Sequence, residues 1–405
     1  MSKPVYTRLG DIVNFKRGYD LPHHARQEGP YPVISSGGIS GYHAAYKASG
    51  EGLVTGRYGT LGEAHHVTGN YWPHNTALYV TDFKGNYPKY VYFLMKCLGN
   101  LQTADKSTVP GINRNDLHEV KVPYHKPSEQ KAIADLLWVI DDKIALNTRI
   151  NAELEAMAKL LYDYWFVQFD FPNAKGKPYK SSGGAMVHNA ELKREVPEGW
   201  EVTELRKYIG SNRGHSYTGA DIGGEGLPMI NLNSFNTNST YKVEGLKMYS
   251  GVPNSAKILE PFDLVMCNTQ QTALDPAKDI IGKSLLVPDI FDKEIVSSHH
   301  VTTINVKKDD LRYYLNSLFN SDYFHRYISG YCSGTNILGL NFEGVLSFRT
   351  AIPNNDLLKS FGAMVQSIEQ RKSISLKETQ ELTTLRDWLL PMLMNGQVVV
   401  GEAEE

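Results

Sequence analysis

The sequence predicts an α+β fold: two similar globular domains separated by a pair of long antiparallel coiled-coil helices, in a pseudo-two-fold arrangement. Three observations lead there. A pattern recurs: Gly111-Ile112-Asn113, Leu117, a Lys-Val step and Pro123 run into a long amphipathic stretch, and Gly339-Leu340-Asn341, Val345, a basic-aliphatic stretch and Pro353 run into another. The offset is 228 residues at the glycines and 230 at the prolines. A globular segment precedes each copy, and the two amphipathic stretches carry apolar stripes of similar length.

At 405 residues the chain is too long for one ordinary core, so two to four structural units are expected. Its 41% hydrophobic and 21% charged residues are those of a soluble globular protein. No run of about 18 apolar residues occurs, so no membrane span is expected. Met1-Ser2-Lys3-Pro4-Val5 is not an apolar signal region, which argues against secretion. Cys97, Cys267 and Cys332 stand apart, without the spacing of a zinc site or a disulfide framework, and fit a cytoplasmic location. The net charge of −2 is unevenly spread. Residues 1–125 hold 13 Lys+Arg against 9 Asp+Glu, whereas residues 199–352 hold 14 against 16. The helical regions 126–170 and 353–405 hold 5 against 8 each. The first globule is mildly basic; the second would need its basic groups gathered on one face to meet a polyanion.

Taken in order, the first globule reads as short strands and turns. Val5 to Phe15 alternates loosely, Tyr31–Ser35 is a strand entering a turn, and Gly52–Gly56 and Ala77–Val80 are short buried-strand candidates. Tyr90–Leu98 is dense enough for a short buried helix. Ser128, after Pro127, is a plausible N-cap for the first long helix. Its apolar residues fall at Ile133, Leu137, Ile140 and Ile144, then at Ile150, Leu154, Met157, Leu161 and Tyr164. The join breaks the heptad phase by one position. Asn147 and Asn151 flank it, where buried Asn commonly fixes register. About forty residues at 1.5 Å rise span roughly 60 Å. Phe171 to Pro197 is a polar Gly/Ser/Lys/Pro connector. The second helix, after Pro353, carries Leu358, Phe361, Val365 and Ile368, then Leu382, Leu385, Leu389 and Met392, about a weak middle at Arg371-Lys372-Ser373-Ile374. Neither stripe can stay exposed. Mutual antiparallel packing covers both; each helix folding back on its own globule is the simpler alternative.

The globules repeat as well. Glu51-Gly52-Leu53-Val54 is echoed by Pro261-Phe262-Asp263-Leu264-Val265, and His74–Val80 by His299–Val306. Helix-like runs, Tyr90–Leu98 and Leu311–Phe319, follow in the same order.

With Pro127-Ser128-Glu129-Gln130-Lys131-Ala132-Ile133-Ala134 opening the first helix, the chain resembles the specificity subunit of type I restriction–modification systems over nearly its whole length. Gly176-Lys177-Pro178-Tyr179-Lys180-Ser181-Ser182-Gly183-Gly184-Ala185-Met186 with Pro197-Glu198-Gly199-Trp200 is close to the linker of one branch of that family. Leu385-Arg386-Asp387-Trp388-Leu389-Leu390-Pro391 with Asn395-Gly396 matches its ending. The resemblance implies target-recognition domain 1 over 1–125, conserved helical region 1 over 126–170, a linker over 171–198, target-recognition domain 2 over 199–352, conserved helical region 2 over 353–396 and a flexible acidic tail over 397–405. It implies a non-catalytic subunit that reads a bipartite double-stranded DNA target with two half-sites, whose spacing the helical pair would set. It also implies two methyltransferase subunits and restriction subunits as partners. S-adenosylmethionine, ATP and Mg would sit on those partners, with no cofactor on this chain.

The residues themselves offer little catalysis. No amino-methyltransferase Asn-Pro-Pro-Tyr motif occurs, and Gly282-Lys283-Ser284 lacks the earlier glycine of a phosphate loop, having Ala277 there. His65-His66 and His299-His300 have no third ligand at metal spacing, so no metal site is expected. Base edges are read by Arg at guanine and by Asn or Gln at adenine, while Lys and Ser hold phosphates. On that chemistry the first-domain candidates are Arg17 and Tyr19 beside Gly18, Arg57 and Tyr58 between glycines, and Lys106, Ser107, Asn113 and Arg114 near the repeated loop. In the second domain Arg213, His215 and Tyr217 are the analogue of the Arg17 loop, and Asn231, Asn233, Asn268, Thr269, Gln270 and Gln271 form amide-rich loops. Ordinary turn chemistry accounts for any single one of these as well, since Asn is favoured in turns. A coiled-coil scaffold with sugar- or protein-binding heads is the rival reading; retention on DNA that falls steeply with salt separates the two.

Overall fold

The computed structural model describes residues 5–56, 63–102, 114–237, 240–271 and 279–401. The chain divides into two units, residues 1–146 with 379–405, and residues 147–378. The long helices Pro127–Tyr162 and Asn355–Met394 each give one part to the first unit and one to the second.

In the first unit, Val5–Arg8 pairs antiparallel with Lys121–Tyr124. A four-stranded sheet runs in the order Asn14–Arg17, Ala77–Asp82, Gly52–Gly56, Ala64–Val67. A smaller sheet joins the hairpin Tyr31–Ser35/Gly38–His43 to the short parallel strand Trp72–Pro73. Helix Pro88–Gln102 buries Tyr90, Phe93 and Leu94 against Leu9, Phe15, Leu53 and Leu78. That core continues onto the long helices through Ile133, Ala134 and Leu137 of the first and Leu390 and Leu393 of the second.

The second unit repeats the pairing of these three sheets and adds to it a fourth strand, Ile258–Leu259, beside the hairpin sheet and a further three-stranded sheet of Thr269–Gln271, Ile337–Leu340 and Cys332–Ser333. Glu201–Glu204 pairs with Arg349–Ile352. The four-stranded sheet runs Ile209–Arg213, Val301–Val306, Leu264–Cys267, Ser284–Leu286. The hairpin is Ile222–Ile230/Lys247–Tyr249, and Ile295–Ser297 is its parallel neighbour. Register fixes the equivalences. Val54 faces Tyr79 as Val265 faces Thr303, and Arg17 faces Leu78 as Arg213 faces Thr302. The echo of Val54 in Val265 therefore holds. That of His74 slips by one: His74 N–H donates to Ile34 O as Ser298 N–H donates to Ile230 O, so His74 matches Ser298 and not His299.

The helices pack antiparallel within each unit. In the first, Arg386 Nη1 reaches Asp141 Oδ1 at 2.8 Å. In the second, Asn147 Nδ2 donates to Glu378 Oε2 at 2.8 Å and Asn151 Nδ2 to Lys372 O at 3.4 Å, so rising positions on one helix meet falling positions on the other. Asn147 is 1% exposed, the buried register-setting Asn the sequence suggests.

Three boundaries differ from expectation. The first helix begins at Pro127, not after it. Pro tolerates the first helical position because its missing N–H has no intrahelical partner to lose, and Glu129 reaches back to accept the Lys126 N–H at 2.9 Å. The polar connector is folded: Phe171 stacks on Tyr179 and Trp200 at 4.6 and 5.5 Å, and Met186–Asn189 pairs with Arg194–Pro197. The expected tail is partly packed. Gly396, with φ 66°, closes the last helix, Gln397 N–H donates to Met392 O, and Val398 and Val400 lie against the first unit's core. Residues 402–405 lie outside the described residues. Among the described residues, no helix is long and apolar enough to cross a membrane.

Candidate nucleic-acid interface

In both units the first strand of the four-stranded sheet ends on Arg-Gly, and the chain then crosses close to the start of the neighbouring strand. Gly18 N–H donates to Ala77 O and Tyr19 N–H to Pro73 O; Gly214 N–H donates to Val301 O and His215 N–H to Ser297 O. Tyr19 and His215 then make single parallel bridges, to His74 and Ser298. The arginines before the glycines are exposed. Arg17 Nε donates to Asn75 O at 3.4 Å and Arg213 Nε to His299 O at 2.8 Å, each to the residue after the bridge partner.

Cations gather on aromatic rings beside these strand ends. In the first unit, Lys16 and Lys47 lie 5.3 and 5.6 Å from the centre of the Tyr19 ring, and Lys47 also lies 5.3 Å from Trp72. Tyr19 Oη pairs with Tyr79 Oη at 3.1 Å. In the second, Lys247 lies 5.2 Å from the Tyr217 ring and bonds its hydroxyl at 3.2 Å, while Lys257 Nζ donates to Gly214 O. His299 packs on Tyr217 at 5.4 Å and on His300 at 3.9 Å. The net-acidic second domain thus does collect basic groups around one loop, as a polyanion site requires.

Burial disfavours the charged form of two imidazoles there, His300 and His215. Burial, helped by His299, Arg213 and Lys247, pushes His300 below the ordinary histidine pKa. Burial does the same to His215, against the opposing bond to Ser297 O. Groups with depressed folded-state pKa values contribute stability above the unfolded value of about 6.5 and lose it as pH falls through the folded value. The urea midpoint is therefore expected to fall between about pH 7 and pH 5, and His215→Gln with His300→Gln to flatten that fall. A midpoint steady or rising toward pH 5 contradicts this.

The remaining candidates are placed as follows. Asn231 is 1% exposed and caps the turn 232–234: its Oδ1 accepts from Asn233 N–H and its Nδ2 donates to Gly245 O at 2.6 Å. Asn268 Nδ2 donates to Thr302 Oγ1 at 2.8 Å, and buried Gln270 Oε1 accepts from Ile280 and Ile281 N–H. His215 Nε2 accepts from Asn254 N–H at 2.9 Å. These polar groups are engaged inside the domain, because a turn's own orphan N–H and C=O groups compete for the amides. Thr269 Oγ1 meets His300 Nδ1 at 2.6 Å, and Gln271 ends the same short strand. Asn233 is exposed, and exposed Arg114 opens helix Arg114–Glu119, its guanidinium on Asn115 Oδ1. Arg57, Tyr58, Lys106, Ser107 and Asn113 lie outside the described residues, as does Gly111-Ile112-Asn113. Sequence reasoning did not single out Lys16, Lys47, Lys247 or Lys257. Lys16 alone had a local signal, its place beside Arg17.

Among the described residues, no group of three or more His, Cys, Asp or Glu side chains could hold a metal. His66 instead pairs with Glu51 at 2.8 Å and packs on Trp138.

Comparison with known proteins fits this arrangement. The profile of the type I restriction modification DNA specificity domain matches residues 1–156. The chain is 24% identical over 321 residues to the type I restriction enzyme MjaIX specificity subunit of Methanocaldococcus jannaschii, across 78% of this chain and 70% of that protein. It is 24% identical over 348 residues to the type I restriction enzyme HindI specificity subunit of Haemophilus influenzae, across 72% of each. The crystal structure of the S subunit of a type I restriction–modification system from M. genitalium has the same fold, with a TM-score of 0.62 at 15% identity over 96% of both chains. The chain is thus similar to the specificity subunits of type I restriction–modification systems, in sequence over most of its length and in fold.

Proposed function

We propose that this chain reads a bipartite double-stranded DNA target, one half-site per unit, and scaffolds two methyltransferase subunits and the restriction subunits joined to them. S-adenosylmethionine, ATP and Mg belong to those partners in this reading. The observation that carries it is the repeated cation–aromatic cluster at the same strand end of two domains of the same topology. Cations on aromatic rings near exposed arginines suit a phosphate backbone approached from a groove. The helices supply a surface for protein partners. Val139 and Trp388 in the first unit are 67% and 54% exposed, and Leu160 and Ile374 in the second are 67% and 68% exposed. Large apolar side chains left in water on long helices suit a protein interface.

The test is a genome-wide map of methylated adenines in cells that carry the chain with its methyltransferase subunit. A two-part motif that disappears when the chain is deleted supports the proposal. A single uninterrupted motif, or methylation indifferent to the chain, rejects it.

A further inference from the structure

The two heads must differ where they choose between half-sites and can coincide only where the half-sites coincide. Building on the DNA-reading function proposed above, we infer that Arg17 and Arg213 make one and the same contact, to a phosphate of the duplex backbone, and that neither selects sequence. Their positions correspond bond for bond. Each closes the first strand of its sheet, opposite Leu78 and Thr302, which are equivalent in register. Each is followed by a glycine whose N–H is taken by the neighbouring strand, at Ala77 O and Val301 O. Each guanidinium is steadied through Nε by the carbonyl one residue past the bridge, that of Asn75 or His299.

That pinning engages Nε alone, and among the described residues neither arginine has a carboxylate within ion-pair distance. Arg8, Arg206, Arg312, Arg349 and Arg386 pair with acids, whereas Arg26, Arg114 and Arg194, like Arg17 and Arg213, hydrogen-bond to neutral oxygens. An exposed guanidinium kept free of acids and fixed by its backbone-facing edge is arranged to receive an anion with its outer edge. The neighbours agree in charge and not in identity: Lys16 and Lys47 stand beside Tyr19, and Lys247 and Lys257 beside Tyr217 and Gly214. The features that differ between the heads lie elsewhere, as where Tyr79 and Thr303 occupy the same register position. Two readers of different sequences that share an arginine share it for what both half-sites possess, and the sugar–phosphate backbone is what they possess in common.

The experiment uses the full chain with its methyltransferase subunit, wild type and with R17A, R213A, both together, and R17K with R213K. Binding is measured from low to high salt on two probes, a duplex carrying the methylated motif and a mixed-sequence duplex. The motif is mapped again in cells for each variant. The inference predicts that each alanine variant weakens both probes by the same factor, and that the slope of log affinity against log salt falls by about 0.9 per arginine removed. It predicts an unchanged motif, and a slope kept by the lysine variants because the charge remains. A motif relaxed in the half read by the altered head overturns it in favour of base reading. So does a slope that stays at its wild-type value in both alanine variants. Wild-type binding with no salt dependence on either probe removes the DNA-reading function itself, and this inference with it.

Discussion

Lys372→Met is expected to cost about 3–5 kcal/mol of stability, the range for breaking a buried ion pair by deleting one partner. Lys372 sits between the long helices in the second unit, its side chain 14% exposed, with Glu369 Oε1 at 2.9 Å and Glu155 in direct contact from the other helix. Glu369 is 12% exposed. Burial opposes the charge on Lys372, but the two carboxylates outweigh it and hold the ammonium well above the ordinary lysine value. Burial raises Glu369, and Lys372 is the group that restrains the rise. Without the lysine, two acids face each other in a site nearly closed to water. The sign of the pH dependence follows. A carboxyl with a raised folded-state pKa gives stability below its unfolded value of about 4.3 and loses it as pH rises through the folded value. The deficit of Lys372→Met in urea should therefore be smaller at pH 5 than at pH 8. Lys372→Met with Glu369→Leu should recover part of it, since only Glu155, the more exposed acid, then stands unpaired. A loss below about 1 kcal/mol, or a deficit independent of pH, would count against the buried triad.

Much of this architecture could be read in the sequence because it is written in spacing. The recurring Gly-x-Asn and Pro, the paired apolar stripes and the Asn147–Asn151 break are periodic or repeated; the first series of each stripe is buried or half-buried as its spacing requires, whereas Ile150, Met157 and Leu385 of the second series stay exposed. The parts that could not be read depend on contacts between distant residues or on competition for a polar group. The connector looks polar because Lys, Ser and Gly outnumber its aromatics. Yet Phe169, Phe171, Tyr179 and Trp200 are enough to build a ring stack once they meet. The amides of Asn231, Asn268 and Gln270 have the chemistry to read adenine, but turn N–H groups and neighbouring side chains and carbonyls take them first. Lys47 lies 28 residues from Tyr19 and Lys257 lies 43 from Gly214, whose carbonyl it reaches, and no local pattern links either pair.

The strand-end glycines give the second large effect. Gly18→Ala and Gly214→Ala are each expected to destabilise their own unit by about 3–5 kcal/mol, a sum of overpacking and two weakened backbone hydrogen bonds. The reason is space and not backbone conformation, since neither glycine has the positive φ that excludes other residues. A Cβ on Gly18 would lie 2.1 Å from His74 O and 2.5 Å from Pro73 O, and one on Gly214 would lie 2.2 Å from Ser298 O and 2.4 Å from Ser297 O. The obstacles are backbone carbonyls, which cannot rotate away as a side chain can. Relief requires the crossing segment to move off its neighbour. That would stretch Tyr19 N–H to Pro73 O and Gly18 N–H to Ala77 O in one unit, and the matching pair at His215 and Gly214 in the other. Gly210→Ala supplies the control: it lies on the same strand as Arg213, and its added methyl would meet nothing closer than Asn305 Cβ at 4.0 Å. It should change stability by no more than about 0.5 kcal/mol. Hydrogen exchange locates the damage. Protection should fall over 14–17 and 77–82 in Gly18→Ala, and over 209–213 and 301–306 in Gly214→Ala. If Gly214→Ala proves as stable as Gly210→Ala, the close crossing is not there, and the bond-for-bond equivalence of Arg17 and Arg213 loses its support.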